Sequence, residues 1–422
     1  MAAVVSSASE RPMSQMPRGE VTPLLFSPVT LRGVTARNRI VVSPMCQYVS
    51  VEGGPTDWHL VHLGKFAIGG AGIVFGEETA IEPRGRKTYD CAGIYDDHHI
   101  AQYRRINDFL KSMGSVPAIQ LGHAGALGAC HGAMQGWEPL TEKDTAVGLP
   151  PWECLSAGGG VGIKRAAVNL KMMDRDDIAT VLQAWTEATR RSAEAGFDIL
   201  EIHGAHGYLI HEFLSPVTNH RTDAYGGDLE GRMRFALEVA ETVRAAWPQD
   251  KPLFYRASIL DGKGGEWVLE DTITLAKALT ERGVDVIDCS SGGILGDSRL
   301  LGIPRVPGYH VSHSTRIKQE TGAQTMLVGM ITDAHQAEAI LQEGKADLIG
   351  MARELMYESH WPVHAARELG VPNYLELFPE PYTFRLKIRE EHAVQYPRGS
   401  EVLIPHSQDD VIRYRWEDAP KT

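Results

Sequence analysis

Ile199-Leu200-Glu201-Ile202-His203-Gly204-Ala205-His206-Gly207-Tyr208-Leu209-Ile210-His211 is the stretch on which the reading of this chain turns. It opens as a short apolar run after Gly196-Phe197-Asp198, the pattern of a strand buried in a parallel sheet. Where the run ends come two histidines three apart and then a tyrosine, separated only by Gly and Ala. Small residues between polar ones let the backbone approach a ligand closely while imidazole and phenol point at it. In β/α proteins, polar side chains at the C-terminal end of a strand are where chemistry sits. Taken alone, the two histidines are equally well read as a structural pair at a helix start. The adjoining tyrosine favours catalysis.

Outward from this stretch, short apolar runs alternate with amphipathic ones. Strands are predicted at Ile40–Pro44, Gly72–Phe75, Val116–Leu121, Asp198–Ile202, Leu253–Ala257, Val286–Cys289, Thr325–Val328 and Asp347–Gly350. Helices are predicted between them, including His59–Ile68, His98–Lys111, Asp176–Ala195, Leu229–Ala246, Glu270–Arg282 and Asp333–Gln342. Eight such units over roughly 330 residues predict an α/β fold, a (β/α)8 TIM barrel. A doubly wound sheet is the alternative, but the Gly-rich phosphate fingerprint after its first strand is missing. Two connections are long, Gly122–Met173 and His203–Asp228, and long βα loops roof active sites. The domain expectation is a leader over 1–20, a barrel over 21–370 and a C-terminal arm over 371–422 that serves as an interface.

The 422 residues carry a formal charge of -12 and no long Lys/Arg cluster, which argues against a nucleic-acid partner. Five scattered cysteines without a C-x-x-C pair argue against zinc-ribbon or iron–sulfur ligation and for reduced thiols in a cytoplasmic setting. The first twenty residues lack an apolar core and read as a disordered leader rather than a signal peptide. With no apolar run of about twenty residues, no membrane span is expected.

The other strand ends add polar groups. Strand one ends in Ser43-Pro44-Met45-Cys46-Gln47-Tyr48, with Cys46 and Tyr48 expected at the barrel mouth; the plain alternative for Cys46 is an inert buried thiol. Gln120, ending strand three, both donates and accepts, which suits an amide-bearing ring such as flavin, though an ordinary core-edge amide would look the same. Arg256 on strand five needs an anionic partner, either a cofactor or an internal salt bridge with Glu201 or Asp288. Gly329 and Arg353 follow strands seven and eight, the usual phosphate site of such barrels. Together these point to FMN.

These residues resemble the old yellow enzyme family of FMN-dependent ene-reductases, especially its thermophilic-like class. The resemblance spans about Leu25 to Leu369 and rests on LFSPVTLRGVTARNRIVVSPMCQY, TDWHLVHLG, QLGHAG, GFDILEIHGAHGYLIHEFLSPVTNHRTDAYGGDLEGRMRF, DCSSGG and ADLIGMAREL. It implies that Ser43, Pro44, Met45 and Cys46 lie along the isoalloxazine, and that Gln120 and Arg256 bind its pyrimidine edge. Ser291, Gly292, Gly329, Ala352 and Arg353 would hold the ribityl phosphate end. His203 and His206 would donate to a substrate carbonyl oxygen, Tyr208 would supply a proton, and Tyr48 would line the pocket. The implied reaction is NADPH- or NADH-driven reduction of the C=C bond of a small-molecule substrate, an α,β-unsaturated carbonyl or nitro compound.

Departures from the family pattern qualify that reading. Ala126 follows His123-Ala124-Gly125 where a basic residue is common, and Glu78 stands where Ala is usual. A Glu78 that approaches the flavin through its backbone alone changes little; a carboxylate beside the ring would disfavour the anionic reduced form. Gln395-Tyr396-Pro397-Arg398 has the form of a motif that reaches a neighbouring subunit's site, so Arg398 and a homodimer or higher homo-oligomer are expected. The rival readings are a pathway-specific flavin oxidoreductase acting on one bulky substrate, a catalytically idle flavin-binding barrel, and a metal hydrolase using His203 and His206. No convincing further metal ligands accompany that pair, so no metal is expected.

Overall fold

The computed structural model describes residues Thr22–Gln395. Strands β1 (Ile40–Val42), β2 (Ile73–Ala80), β3 (Val116–Gly122), β4 (Ile199–Gly204), β5 (Leu253–Ser258), β6 (Val286–Ser290), β7 (Gln324–Leu327) and β8 (Leu348–Met351) pair in parallel in that order. β8 closes on β1, with Ile349 opposite Ile40 and Met351 opposite Val42. The predicted (β/α)8 barrel is therefore the fold.

Helices follow each strand: α1 (Asp57–Ile68), α2 (His98–Ser112), α3 (Arg175–Glu194), the short α4 (Leu209–Leu214) with α5 (Leu229–Ala246), α6 (Leu269–Glu281), α7 (Val311–Thr321), α8 (Ala334–Gln342), and α9 (Arg353–Tyr357) with α10 (Trp361–Glu368). Aspartates start several of them. Asp174 caps α3 by accepting from the Asp177 N–H, and Asp177 reaches back to the Asp174 N–H, a reciprocal box; Asp228 and Asp333 cap α5 and α8 by accepting from the Gly231 and Gln336 N–H groups alone. α7 was expected from the eight-fold count but given no bounds, because it buries only Ser314 and Ile317, too narrow a face to show as a hydrophobic period.

Every barrel strand is buried on both faces. The inward-pointing Val41, Ile73, Phe75, Ala118, Ile199, Phe254, Val286, Met326 and Leu348 fill the barrel's lower interior. A hairpin, Val29–Leu31 with Val34–Ala36, packs against them from below. The outward-facing side chains pack against the helices in two larger clusters. β2 runs five residues past its predicted end because its pairing with β3 shifts between Phe75 and Glu78. That irregularity carries Glu78 level with Gln120, among the site residues.

The long third loop is not structureless. It folds into short 3-10 turns and a two-stranded parallel ribbon, Cys154–Ser156 with Leu170–Met172. The chain divides at Phe378/Pro379, so the barrel unit extends through the 3-10 turn Tyr374–Leu377, beyond the expected boundary at 370. In the second unit, Glu380–Gln395 forms helix α11. The leader over 1–20 and Arg398 lie outside the described residues. Among the described residues no helix is long and apolar enough to cross a membrane.

Phe254 is fully buried with its ring 5.9 Å from that of Phe75 across the barrel interior. Phe254→Ala opens a cavity the closed sheet cannot collapse around, and a loss of about 3–5 kcal/mol is expected. Urea unfolding checks this as a lowered midpoint at unchanged slope.

Candidate active site

β4 delivers His203 to the barrel mouth, and the turn after it brings His206 and Tyr208 alongside. The ring centroids of His203 and His206, and those of His203 and Tyr208, are each 5.0 Å apart. The Ala205 N–H donates to His203 Nδ1 at 3.2 Å, which leaves the His203 proton on Nε2, facing His206 Nδ1 at 3.3 Å. His206 Nε2 then donates to Ser290 Oγ at 2.7 Å. Burial, followed by neighbouring cationic groups, holds both imidazoles well below the usual histidine range, so both are neutral donors. Burial pushes the Tyr208 phenol above its ordinary value, and it keeps its proton.

This geometry is held at some cost. His206 has φ 62°, in the left-handed region that non-glycine residues avoid. Ser258 Oγ accepts the His206 N–H at 3.0 Å. Gly293 lies flat against the same peptide, where a Cβ would fall 2.1 Å from the His206 carbonyl carbon. His211, the last residue of the opening stretch, is fully buried. Its Nδ1 accepts from the Gly207 N–H at 2.9 Å, and its Nε2 faces Asp261 Oδ1 at 2.9 Å. Asp261 is itself fixed by Ser215 Oγ and the Glu266 and Trp267 N–H groups. His211 thus positions the turn between His206 and Tyr208.

Beneath this group lies a polar floor. Gln120 Nε2 donates to Glu201 Oε1 at 2.7 Å, and Arg256 Nε lies 3.2 Å from Asp288 Oδ2 without a hydrogen bond in line. Both plain alternatives for Gln120 and Arg256 are thus realised in part: each meets a carboxyl of the barrel. Burial and then the neighbouring Asp288 push the Glu201 carboxyl well above its usual range. Ser43 Oγ and Arg256 Nε are buried at strand ends and make no hydrogen bond, which suits a polar-edged planar ring. Cys46 is a free thiol, pushed up to about 12 by burial. Toward β6–β8, His310 Nδ1 donates to the Val328 carbonyl at 2.8 Å and its Nε2 accepts from Ser291 Oγ at 2.8 Å. The Gly292 carbonyl accepts from Ser258 Oγ, and the Gly329 carbonyl from the Gly308 N–H. Ala352 and the exposed Arg353 open α9 on the same side. The site residues expected from the strand ends thus share one end of the barrel. The residues present fit FMN.

Other site residues went unread in the sequence. Lys87 is buried and ion-paired with Glu78, and its Nζ also lies 3.1 Å from Cys46 Sγ. It sits over the rings of Tyr208 at 5.2 Å and Tyr48 at 5.9 Å. Burial opposes its charge, but the paired Glu78 carboxylate more than offsets this and holds Lys87 well above the ordinary lysine value. The Glu78 carboxylate that sequence placed in question is therefore neutralised by a partner nine residues on. Gly122 makes room for it, since a Cβ there would fall 2.3 Å from Glu78 Oε1. The neighbouring Glu77 instead pairs with His59 at 2.8 Å and accepts from the Gln47 N–H at 3.0 Å, pinning the loop that carries Cys46 and Tyr48.

A cavity of about 250 Å³ lies over Tyr48 and Tyr208, walled by Leu127, Cys130, Trp137, Lys87, Lys164 and Arg165. Tyr48, Trp137 and Arg165 all have positive φ, as His206 does. The loop that supplies this wall is tied down by Glu212 of α4, fully buried, which accepts from the Ala126 N–H at 2.6 Å, Ser156 Oγ at 2.6 Å and the Ala157 N–H at 3.1 Å. Ala126, noted for standing where a basic residue is common, is a backbone anchor for the roof. Among the described residues no three His, Cys, Asp or Glu are grouped to hold a metal ion.

Two outcomes follow from these contacts. Gly122→Ala destabilises the wild-type chain but is close to neutral on a Glu78→Ala background, and a thermal-denaturation double-mutant cycle reads the difference. Burial raises the Glu212 carboxyl to about 7, so the folded chain binds its proton more tightly than the unfolded one. Stability from this group is present below pH about 4.5 and falls as pH rises toward 7, by up to about 1.4 kcal/mol per pH unit. Glu212→Gln, measured at pH 5 and pH 7.5, removes that slope.

The sequence profile of the NADH:flavin oxidoreductase / NADH oxidase family matches residues 24–371. The chain is similar to an NADPH dehydrogenase of Geobacillus sp. (strain WCH70), 40% identical over 82% of this chain and 95% of the relative. An NADPH dehydrogenase of Bacillus subtilis (strain 168) is 39% identical over the same shares. Among solved structures, morphinone reductase in complex with tetrahydroNAD superposes with a TM-score of 0.68 at 21% identity, covering 86% of this chain and 94% of that one. An old yellow enzyme homologue from Zymomonas mobilis gives 0.67 at 23% identity, covering 86% and 99%. The chain belongs to this family of old yellow enzyme-type barrels, as an FMN-dependent NAD(P)H oxidoreductase acting on small molecules.

Proposed function

We propose that this enzyme reduces the C=C bond of α,β-unsaturated carbonyl or nitro compounds. The observation that carries the reading is the His203–His206–Tyr208 group beside a cavity, with both imidazoles neutral and the phenol protonated. Bound FMN would supply the hydride chemistry, passing the reducing equivalents of NADPH or NADH to the β-carbon of the alkene. Ser43, Pro44, Met45, Cys46, Gln120 and Arg256 would hold the ring, Glu78 would lie at its edge, and Ser291, Gly292, Gly329, Ala352 and Arg353 would hold the phosphate.

As hydride arrives, negative charge gathers on the substrate's oxygen. His203 and His206 answer it with the Nε2 protons they now direct at His206 and Ser290. Preorganised donors of this kind are worth about 10²–10³ in rate each. Tyr208 delivers its proton to the α-carbon, and solvent restores it. Tyr48 and Trp137, in edge contact at 5.0 Å, form the wall against which the substrate rests. We assign Arg398 to a neighbouring subunit's site in a homo-oligomer, on the form of its motif alone.

The test separates the half-reactions. Tyr208→Phe is expected to slow reoxidation of the reduced enzyme by cyclohexenone about 10²-fold or more, while reduction by NADPH keeps its rate. An enzyme that NADPH reduces but no enone or nitroalkene reoxidises would sink the reading.

A further inference from the structure

We propose that the substrate carries a carboxylate, bound by a cationic wall of Lys87, Lys164 and Arg165. The inference rests on the alkene-reduction reading and narrows its substrate class. The chain as a whole is acidic, at -12, yet three cationic side chains line this one cavity and, among the described residues, no Asp or Glu does. Lys164 has no ion-pair partner among the described residues. Arg165 donates Nη1–H to the Gly136 carbonyl at 2.6 Å, and its one acidic neighbour, the exposed Glu138, lies 3.8 Å away. That hydrogen bond ties the guanidinium to the loop at the cavity's edge.

Lys87 closes the wall at its floor. An ammonium has three N–H groups. One is taken by Glu78 and one faces Cys46, so the third is left on the side of the tyrosine rings that bound the cavity. A buried lysine is costly unless paired, and here Glu78 pairs it in space that Gly122 leaves open. Neutralising Lys87 with an apolar side chain would have been the simpler structure, so the pair is built to present a donor. The anion is assigned to the small acceptor because the three cations line the same cavity as Tyr208, whose ring packs against that of His203.

The experiment uses full-length, FMN-loaded enzyme and two oxidants with the same enone, 6-oxohept-4-enoate and its methyl ester, in which two methylenes separate the carboxyl group from the alkene. Lys164→Ala combined with Arg165→Ala is expected to lower the acid-to-ester ratio of kcat/KM about tenfold or more. The Kd of the acid for the oxidised enzyme, read from flavin absorption at equilibrium, should weaken in step. Turnover of the acid, and not of the ester, should fall with ionic strength. Glu78→Ala combined with Lys87→Met, which strands no buried charge, should lower the ratio as well. A ratio and an acid Kd that neither double variant moves overturn the inference while alkene reduction stands. Slower reduction by NADPH with an unmoved ratio reassigns the cations to a nucleotide phosphate and also overturns it. Failure to turn over either compound, with NADPH still oxidised by another acceptor, removes the reading beneath it.

Discussion

Everything at the mouth of this barrel depends on the closure of β8 onto β1. Eight parallel strands joined edge to edge have no free rim, and their staggered register decides which residues reach the top together. The register sets Gln120 beside Glu201, His203 beside Arg256, and Arg256 beside Asp288. These residues come from four different strands and more than 160 positions of sequence, yet they form one contiguous polar layer. The apolar interior beneath them gives that layer a rigid base and a low dielectric.

Low dielectric explains the chemical state of nearly every group in the site. It keeps His203 and His206 uncharged, Tyr208 protonated and the Cys46 thiol intact, because each would otherwise bear an unsolvated charge. The same cost explains why the buried cations have close anionic partners, Lys87 with Glu78 and Arg256 with Asp288. A site so arranged holds neutral donors that respond to charge appearing on a ligand, with little reorganisation when it does.

Much of this was legible in the sequence, for physical reasons that also mark where legibility ended. Strands buried on both faces read as apolar runs, so all eight barrel strands were found. The resemblance located the residues from β1, β3, β4 and β5 that meet at the mouth. β2 was cut short because Gly76-Glu77-Glu78 looks like a turn, and only the shifted pairing with β3 shows it continuing as strand. Glu78 stood out as a departure, but its meaning depended on Lys87. A lysine in a polar loop carries no sign that it is buried. Glu212 was hidden for the same reason: its partners Ala126, Ser156 and Ala157 offer mainly backbone N–H groups, which no side-chain pattern records. Lys164 and Arg165 read as loop polarity until the fold brought them over Tyr48.

The packing of Gly122 against Glu78 also couples three positions that lie far apart in sequence. A side chain at 122 crowds the Glu78 carboxylate, whose Oε1 lies 2.3 Å from where a Cβ would stand. Lys87 without that carboxylate is a charge sealed from water. The cation in the pocket therefore depends on the smallness of a residue it does not touch, and the three positions tolerate exchange only together.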